Sequence, residues 1–296
     1  MRTAALSVER LPSRRLFLRK PPKQLYHYTD LEAVKGILTS KSLWLSKFTS
    51  TNDISEIQLA IEHFTDFVNK AAREVDAEEA GLLREAASRF RDFRRTHICL
   101  ASFCEERDLL SQWRSYGNDG RGIALGFSSQ SLAALAKHHG LNVYRCVYAP
   151  REHRRIAADL VEMLLGSYRR GKPRTPAKRA ALLDQFHELF LHVAPVIKDH
   201  KFGEEREWRL ISKSLPIDDA AMIAVLKGNQ ASIKYAVPLE GGHRDLIPRV
   251  VVGPTLDPHN VCDAIELLAI RTGFAVEKID ISQIPFRLGP DTGSKR

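Results

Sequence analysis

The sequence has few cysteines, and they lack the spacing that metal ligands need. The four of them, Cys99, Cys104, Cys146 and Cys262, include no Cys-x-x-Cys pair. Zinc sites and disulfide frameworks normally need such pairs or a higher cysteine density. The sequence therefore predicts no metal site and no disulfide framework, and its thiols fit a reducing cytoplasm.

Long apolar runs and nucleotide-binding glycine motifs are also missing. The longest apolar candidate, residues 220–226, is far shorter than the roughly 18–20 residues of a membrane helix, so we expect no membrane partner. Residues 117–122 match neither the phosphate-loop nor the dinucleotide fingerprint. His187 and His192 stand five residues apart, which excludes the zinc-protease helix because that motif needs a spacing of four.

Positive charge is what the sequence has in excess, and two segments carry it. Residues 1–23 hold seven lysines and arginines against Glu9, and they predict a flexible basic arm, although such a start also resembles an organellar transit peptide. Residues 145–180 hold ten basic against three acidic residues, a net charge of +7. This segment predicts either solvated helix faces or a patch for nucleic-acid phosphates. The candidate patch residues are Arg169, Arg170, Lys172 and Arg174.

Strand-like and helix-like segments follow one another irregularly along the chain, which is typical of the α+β class. We predict one α+β domain over residues 24–290, with a split antiparallel or mixed sheet. Helical insertions are expected near residues 53–95 and 149–200, and a disordered tail over residues 291–296.

An acidic pair, Glu205 and Glu207, stands just before an apolar stretch that reads as a strand. In a strand Glu205, Glu207 and Arg209 share one face. Two carboxylates on one face repel each other unless a cation or a hydrogen-bonding substrate relieves the repulsion, so the pair is a candidate site. The alternative is a solvated edge strand on which Arg206 and Arg209 balance the charge.

His27 and three aromatic residues are further candidates. His27 stands near the end of a short strand, immediately before a capped helix, where clefts often form. The alternative is a core histidine bonded to the backbone. Trp113 and Tyr116 lie three residues apart, on neighbouring positions of one helix face. For these two and for Trp44 the alternative is packing in the core.

Three groups of motifs together resemble a known family. The first consists of Leu-Tyr-His-Tyr-Thr at 25–29, Leu-Trp-Leu-Ser at 43–46 and Asn-Asp at 52–53. The second consists of Ser-Phe-Cys at 102–104, Leu-Leu at 109–110, Trp113, Tyr116 and residues 122–127. The third consists of Glu-Arg-Glu-Trp-Arg-Leu at 205–210 and residues 250–254. The combination is identified as the mainly bacterial domain of unknown function family 2971, over residues 24–288.

The same pattern more distantly resembles the ADP-ribosyltransferase superfamily. His27-Tyr28-Thr29 is similar to the His-x-Thr of its histidine-type branch, and Glu205-Arg206-Glu207 is similar to the Glu-x-Glu of its arginine-modifying branch. The resemblance implies an ADP-ribosyltransferase-like fold with NAD as substrate and no metal. It makes Glu207 catalytic, assigns Glu205 to the acceptor, and places His27 on the adenosine ribose. The cofactor-binding set it implies is His27, Tyr28, Thr29, Trp44, Trp113 and Tyr116, with one of the last three stacking on nicotinamide.

Three functions are compatible with these residues. The first is an NAD-dependent ADP-ribosyltransferase, a toxin or phage-defence effector that modifies nucleic acid or protein. The alternative is a non-catalytic module that binds a nucleotide or nucleic acid in the same cleft. A third is a phosphotransferase that acts on RNA ends with NAD as acceptor. All three require His27 to line a ligand cleft, and the first also requires Glu207 in that cleft.

Overall fold

The computed structural model describes residues 6–50, 54–90, 97–117, 121–173, 175–227, 230–239, 245–255 and 257–285. The strands are β1 (Gln24–Thr29), β2 (Ser42–Lys47), β3 (Cys99–Cys104), β4 (Ile123–Ser128), β5 (Asn142–Arg145), β6 (Glu207–Ile211), β7 (Met222–Lys227), β8 (Gln230–Pro238), β9 (Arg249–Val252) and β10 (Lys278–Ile281). The helices are α1 (Leu31–Ser40), α2 (Ile54–Ala71), α3 (Ala77–Ser88), α4 (Leu110–Ser115), α5 (Ser129–His139), α6 (Pro150–Gly171), α7 (Pro176–Val193) and α8 (Pro258–Thr272).

The ten strands form one mixed sheet with helices on both faces. Its main path runs β10-β9-β4-β1-β3-β2-β8-β7, and β6 pairs with β3 on one side and β5 on the other. The β9–β10 pair is parallel, and the remaining strand pairs are antiparallel. The predicted mixed sheet with helical elements is confirmed. The predicted tail, residues 291–296, lies outside the described residues.

The two largest of three apolar clusters in the described residues lie on opposite faces of this sheet. One core joins α1, α5 and α8 to the sheet face that carries Leu25, Phe103 and Leu210. The other joins α2, α3, α6 and α7 to the opposite face, which carries Leu100 and Ile211. Because side chains alternate along a strand, β6 turns Trp208 and Leu210 toward the first core. It turns Glu207, Arg209 and Ile211 toward the second.

Helix boundaries follow capping chemistry that is readable in the sequence. The carboxylate of Asp30 accepts the backbone N–H of Ala33 at the start of α1, and Asp76 accepts that of Glu79 at the start of α3. Such caps satisfy backbone donors that have no partner inside the helix. Helices α2 and α3 are the helical pair in the segment near residues 53–95, and the Asp76 cap marks where the second of them begins.

The basic N-terminal segment is packed over its described part, where the sequence favours a flexible arm. Val8–Arg10 and Pro12–Leu16 form two short 3-10 helices. Leu11 and Phe17 are fully buried in the second core. The backbone N–H of Ser13 donates to the Asp159 carboxylate of α6 at 2.6 Å. The burial of Leu11 and Phe17 stabilises the packed segment despite its positive charge. Arg10, Arg15 and Arg19 are exposed to solvent.

We predict that Leu11→Ala destabilises the protein by about 2–5 kcal/mol, because it leaves a cavity between the N-terminal segment and the core. Urea unfolding at neutral pH measures the change. Leu18→Ala is the matched control, since Leu18 is 38% exposed and its loss should cost little. Equal stability of the two variants would show that the segment is not packed.

Candidate functional site

Strand β3 is the element that brings the candidate residues together. Along one edge, Leu100–Cys104 pairs with β6 throughout. Along the other edge two different strands pair with it: β2 through Ser46–Leu100 and Lys47–Cys99, and β1 through Tyr26–Cys104. Strands β1 and β2 therefore diverge beside Ser102. We call this gap between β1 and β2 at Ser102 the fork.

His27 spans the fork from β1. Its Nδ1 lies 2.9 Å from the carbonyl oxygen of Ser102. A carbonyl only accepts hydrogen bonds, so Nδ1 carries the proton and Nε2 keeps a lone pair when the ring is neutral. Burial lowers the pKa of His27 and favours that neutral form. The alternative of a histidine bonded to the backbone is thus observed at Nδ1. The assignment of His27 to a ligand site stays a prediction, and it concerns Nε2.

The two carboxylates of the acidic pair meet on one buried lysine. Glu205 ends the 3-10 helix His200–Glu205, Arg206 takes a left-handed conformation with φ 42°, and Glu207 begins β6. The Lys198 ammonium lies 2.6 Å from Glu205 Oε2 and 2.6 Å from Glu207 Oε2. Glu205 is thus not a residue of the strand, yet the turn at Arg206 brings both carboxylates to the same cation. Lys198 is the cation that offsets the repulsion between the two carboxylates, and the sequence pattern does not reveal it.

Arg209 completes this group, which we call the acidic cluster (Lys198, Glu205, Glu207 and Arg209). Its Nε donates to Glu207 Oε1 at 2.7 Å, and its Nη2 donates to Oε2 at 3.0 Å. Its Nη1 donates to the carbonyl oxygen of Pro195. All four side chains are buried. The cluster has two positive and two negative charges, which is the condition under which charges are tolerated in an interior.

The backbone around the cluster is fixed by its neighbours. The N–H of Glu207 donates to the hydroxyl oxygen of Tyr148 at 2.8 Å. The N–H of Lys198 donates to the carbonyl of Val147 at 3.0 Å, and that carbonyl also accepts His153 Nε2 at 2.7 Å. The segment after β5 therefore holds both the lysine and the strand that carries Glu207.

Burial and charge push the pKa values of the two carboxyl groups in opposite directions. Burial raises the pKa of Glu207, but the opposing attraction of Arg209 and Lys198 outweighs it and brings the value down to about 2. Burial also raises the pKa of Glu205, and there Lys198 does not fully offset it. Glu207 is thus a fixed anion, and Glu205 is the member of the pair that exchanges a proton more readily. Such separation is typical of paired carboxylates with distinct chemical roles.

The proposed cofactor-binding aromatics differ in accessibility. Trp113 is fully buried, donates its ring N–H to Asp108 at 2.7 Å, and packs edge-on against Tyr28 at 4.6 Å between ring centroids. Trp44 and Tyr116 are each 43% exposed. Trp44 extends from β2 toward the level of Ser102, whereas Tyr116 follows α4 beyond the opposite flank of β1. Of the three tryptophans, only Trp44 presents an exposed ring.

The remaining residues of the histidine motif end β1. The Tyr28 hydroxyl donates to the carbonyl of Glu106 at 2.8 Å and accepts the N–H of Leu109 at 3.1 Å, so it ties β1 to the loop after β3. Thr29, the last residue of β1, pairs with Ile123 and is half-buried. Tyr28 and Thr29 thereby fix the strand end beside His27.

The described residues of the candidate basic patch, Arg169, Arg170 and Lys172, lie far from the acidic cluster at the end of α6. Arg169 makes a bidentate ion pair with Glu79 at 2.7 and 2.8 Å. Arg170 contacts Ser167, and Lys172 follows the end of α6. Arg174 lies outside the described residues. Arg169 is 19 residues into a helix that starts next to the cluster, a distance of about 28 Å along its axis.

Neither a metal-binding cluster nor a membrane-spanning helix occurs among the described residues. In the described residues, no group of three or more His, Cys, Asp or Glu side chains is placed to hold a metal ion. No helix in the described part of the chain combines the length and apolarity needed to cross a membrane.

Comparison with known proteins gives one match. Residues 112–210 match the family described as Protein of unknown function (DUF2971). The resemblance predicted from the sequence motifs is thus confirmed over this segment. The DUF2971 segment runs from α4 into β6 and contains Trp113, Glu205 and Glu207, whereas His27 and Trp44 precede it. No curated protein and no solved structure matches the chain.

We predict that Lys198→Met destabilises the protein by about 3–5 kcal/mol, because it leaves two buried carboxylates without their shared cation. Urea unfolding at pH 7 measures the loss. Adding Glu205→Gln should restore part of it, since one negative charge is then removed. The control is Lys201→Met, which changes an exposed lysine three residues further on. A Lys198→Met variant as stable as this control would contradict the cluster's role.

Proposed function

We propose that this protein binds NAD and has an ADP-ribosyltransferase-like fold and activity. The observation that carries the proposal is the pairing around Cys104, which has Tyr26 opposite it on one side and Glu207 on the other. Two strand spacings separate β1 from β6, so the Cα atoms of His27 and Glu207 are about 10 Å apart. Two motifs that are 180 residues apart in the sequence thus converge at one end of β3.

The fork supplies the opening that this proposal needs. Alternation along β1 turns His27 to the face opposite Tyr26, Cys104 and Glu207. The sheet is not continuous beside Ser102, however, because β1 and β2 diverge there. In this proposal a dinucleotide enters the fork, contacts the His27 ring and extends past β3 toward the face of β6 that carries Glu207.

The proposed reaction breaks the bond between ribose C1′ and the nicotinamide nitrogen, and the bonding electron pair leaves with nicotinamide. The ribose becomes oxocarbenium-like, and the fixed negative charge of Glu207 stabilises it electrostatically. An acceptor hydroxyl, amine or water then forms a bond to C1′ and gives its proton to Glu205. The opposite pKa shifts of the two carboxyl groups suit this division of roles.

Glu207 retains a position for the ribose. A carboxylate offers about four acceptor positions, and Lys198, Arg209 Nε and Arg209 Nη2 use three of them. The fourth is on Oε1, where a ribose 2′-hydroxyl would donate. In a cell, such an enzyme would act on protein or nucleic acid in the cytoplasm as a toxin or phage-defence effector.

A second candidate is a non-catalytic module that binds a nucleotide at the fork. The observation that favours it is the burial of Glu207 between Lys198 and Arg209, because such a network also suits a purely structural role. This candidate predicts NAD binding without release of nicotinamide. The bidentate pairing of Arg169 with Glu79 weakens the corresponding case for nucleic acid.

We predict that the purified protein releases nicotinamide from NAD, or labels itself or a partner with ADP-ribose, and that Glu207→Gln lowers the rate at least about 100-fold. Nicotinamide release is followed by chromatography, and transfer by labelled NAD. Retained NAD binding in the variant separates loss of chemistry from loss of binding.

The matched control for this test is Glu79→Gln, which breaks another bidentate glutamate–arginine pair, one between a buried glutamate and an exposed arginine, far from the fork. It should retain activity. NAD binding without turnover in the wild type would favour the binding module. No NAD binding at millimolar concentration would overturn both candidates.

A further inference from the structure

Lys234, a lysine on β8 beside the fork, has a charge that no carboxylate of the described residues neutralises. Lys234 on β8 stands opposite Ser46 on β2, and its Nζ donates to Ser46 Oγ at 2.7 Å. In the described part of the chain no carboxylate lies within ion-pair distance of this ammonium. Burial lowers its pKa. A half-buried cation without an anion is costly, and such a residue points to an anionic ligand.

The neighbours of Lys234 form a surface suited to a nucleotide. Trp44 lies two residues before Ser46, on the same face and about 7 Å along the strand. The residue opposite Trp44 is Ala236, whose small side chain leaves the indole uncovered on that side. Ser102 on β3 lies at the level of Trp44, where the fork opens, and is half-buried. A cation, a hydroxyl and an exposed aromatic ring thus line one face.

The chemistry of this face differs from that of the acidic cluster. An ammonium and a hydroxyl hold phosphate oxygens through charge-assisted hydrogen bonds, and an indole ring stacks on a heteroaromatic base. Ser46 accepts from Lys234 and keeps its own hydroxyl proton to donate. The cationic face of Lys234 and the neutral acidic cluster, in which Glu207 is the fixed anion, therefore lie on opposite sides of β3.

We propose that Lys234 and Ser46 form a phosphate subsite and that Trp44 stacks on the adjoining base of a nucleoside diphosphate. The inference rests on the proposed function for the identity of the ligand, where the subsite would hold the pyrophosphate of NAD. It assigns to β2 and β8 a binding role that the histidine and glutamate motifs do not include.

The test measures binding of ADP-ribose, which has the pyrophosphate but no bond to break, by calorimetry on the full chain. Lys234→Met should weaken binding about 10- to 100-fold, and Lys234→Arg should restore most of it, because one charge-assisted hydrogen bond is lost and regained. Lys278→Met is the matched control, since Lys278 also lies on a strand but pairs with Asp280. Thermal unfolding shows whether each variant is folded.

Fluorescence gives a second readout. Trp113 and Trp208 are buried, and Trp44 is exposed, so acrylamide quenching reports mainly on Trp44. Saturating ADP-ribose should reduce that quenching in the wild type, and Trp44→Phe should abolish the response. Unchanged quenching at saturation would overturn the stacking role.

The outcomes distinguish this inference from the proposed function. If Lys234→Met binds ADP-ribose like the wild type while Glu207→Gln loses turnover, the subsite is wrong and the function stands. If the wild type binds no nucleotide, inorganic pyrophosphate is the remaining probe. If the protein binds pyrophosphate and Lys234→Met abolishes that binding, the phosphate subsite stands without the NAD function. If the protein does not bind pyrophosphate, both the subsite and the NAD function are overturned. Stronger binding of a short single-stranded oligonucleotide than of ADP-ribose would also overturn the assignment.

Discussion

The candidate site depends on the contact of one buried ammonium, that of Lys198, with two carboxylates. Glu205 and Glu207 are both largely withdrawn from water, and two such anions would repel each other strongly in a medium of low dielectric constant. Lys198 reaches both at 2.6 Å, and Arg209 adds a second positive charge on Glu207. The result is a neutral, rigid group in which the carboxylate of Glu207 is held as an anion in one orientation. An electrostatic role in catalysis requires such preorganisation.

The sheet determines what this group lies next to. Because β3 pairs with β6 along one edge and is shared by β1 and β2 along the other, the chain opens a fork beside Ser102. His27 contacts the fork from β1, and Trp44, Ser46 and Lys234 line it from β2 and β8. Glu207, the fixed anion within the neutral acidic cluster, and the ammonium of Lys234 therefore lie on opposite sides of β3.

Local sequence patterns predicted much of the fold, and contacts between distant residues account for what they missed. Alternation placed Glu207 and Arg209 on one face of a strand, and Asp30 and Asp76 cap the starts of α1 and α3, because these features depend on neighbours within a few residues. The bidentate pairing of Arg169 with Glu79 joins two helices 90 residues apart, so the sequence could indicate a basic segment but not its neutralisation. Lys198 was missed because it precedes the strand by nine residues and reaches Glu207 only through a 3-10 helix and a left-handed turn. Lys234 was missed because only the paired strands reveal that no carboxylate of the described residues lies beside it.

The most direct test of this account is a titration of the two glutamate carboxyl groups by carbon-13 NMR, with assignments from Glu205→Gln and Glu207→Gln. The account predicts that Glu207 stays ionised until the pH falls to about 2, while Glu205 takes up its proton above the ordinary value of 4.5. Titration of both groups together near that ordinary value would show that Lys198 and Arg209 do not hold Glu207 as an anion, and would contradict the account.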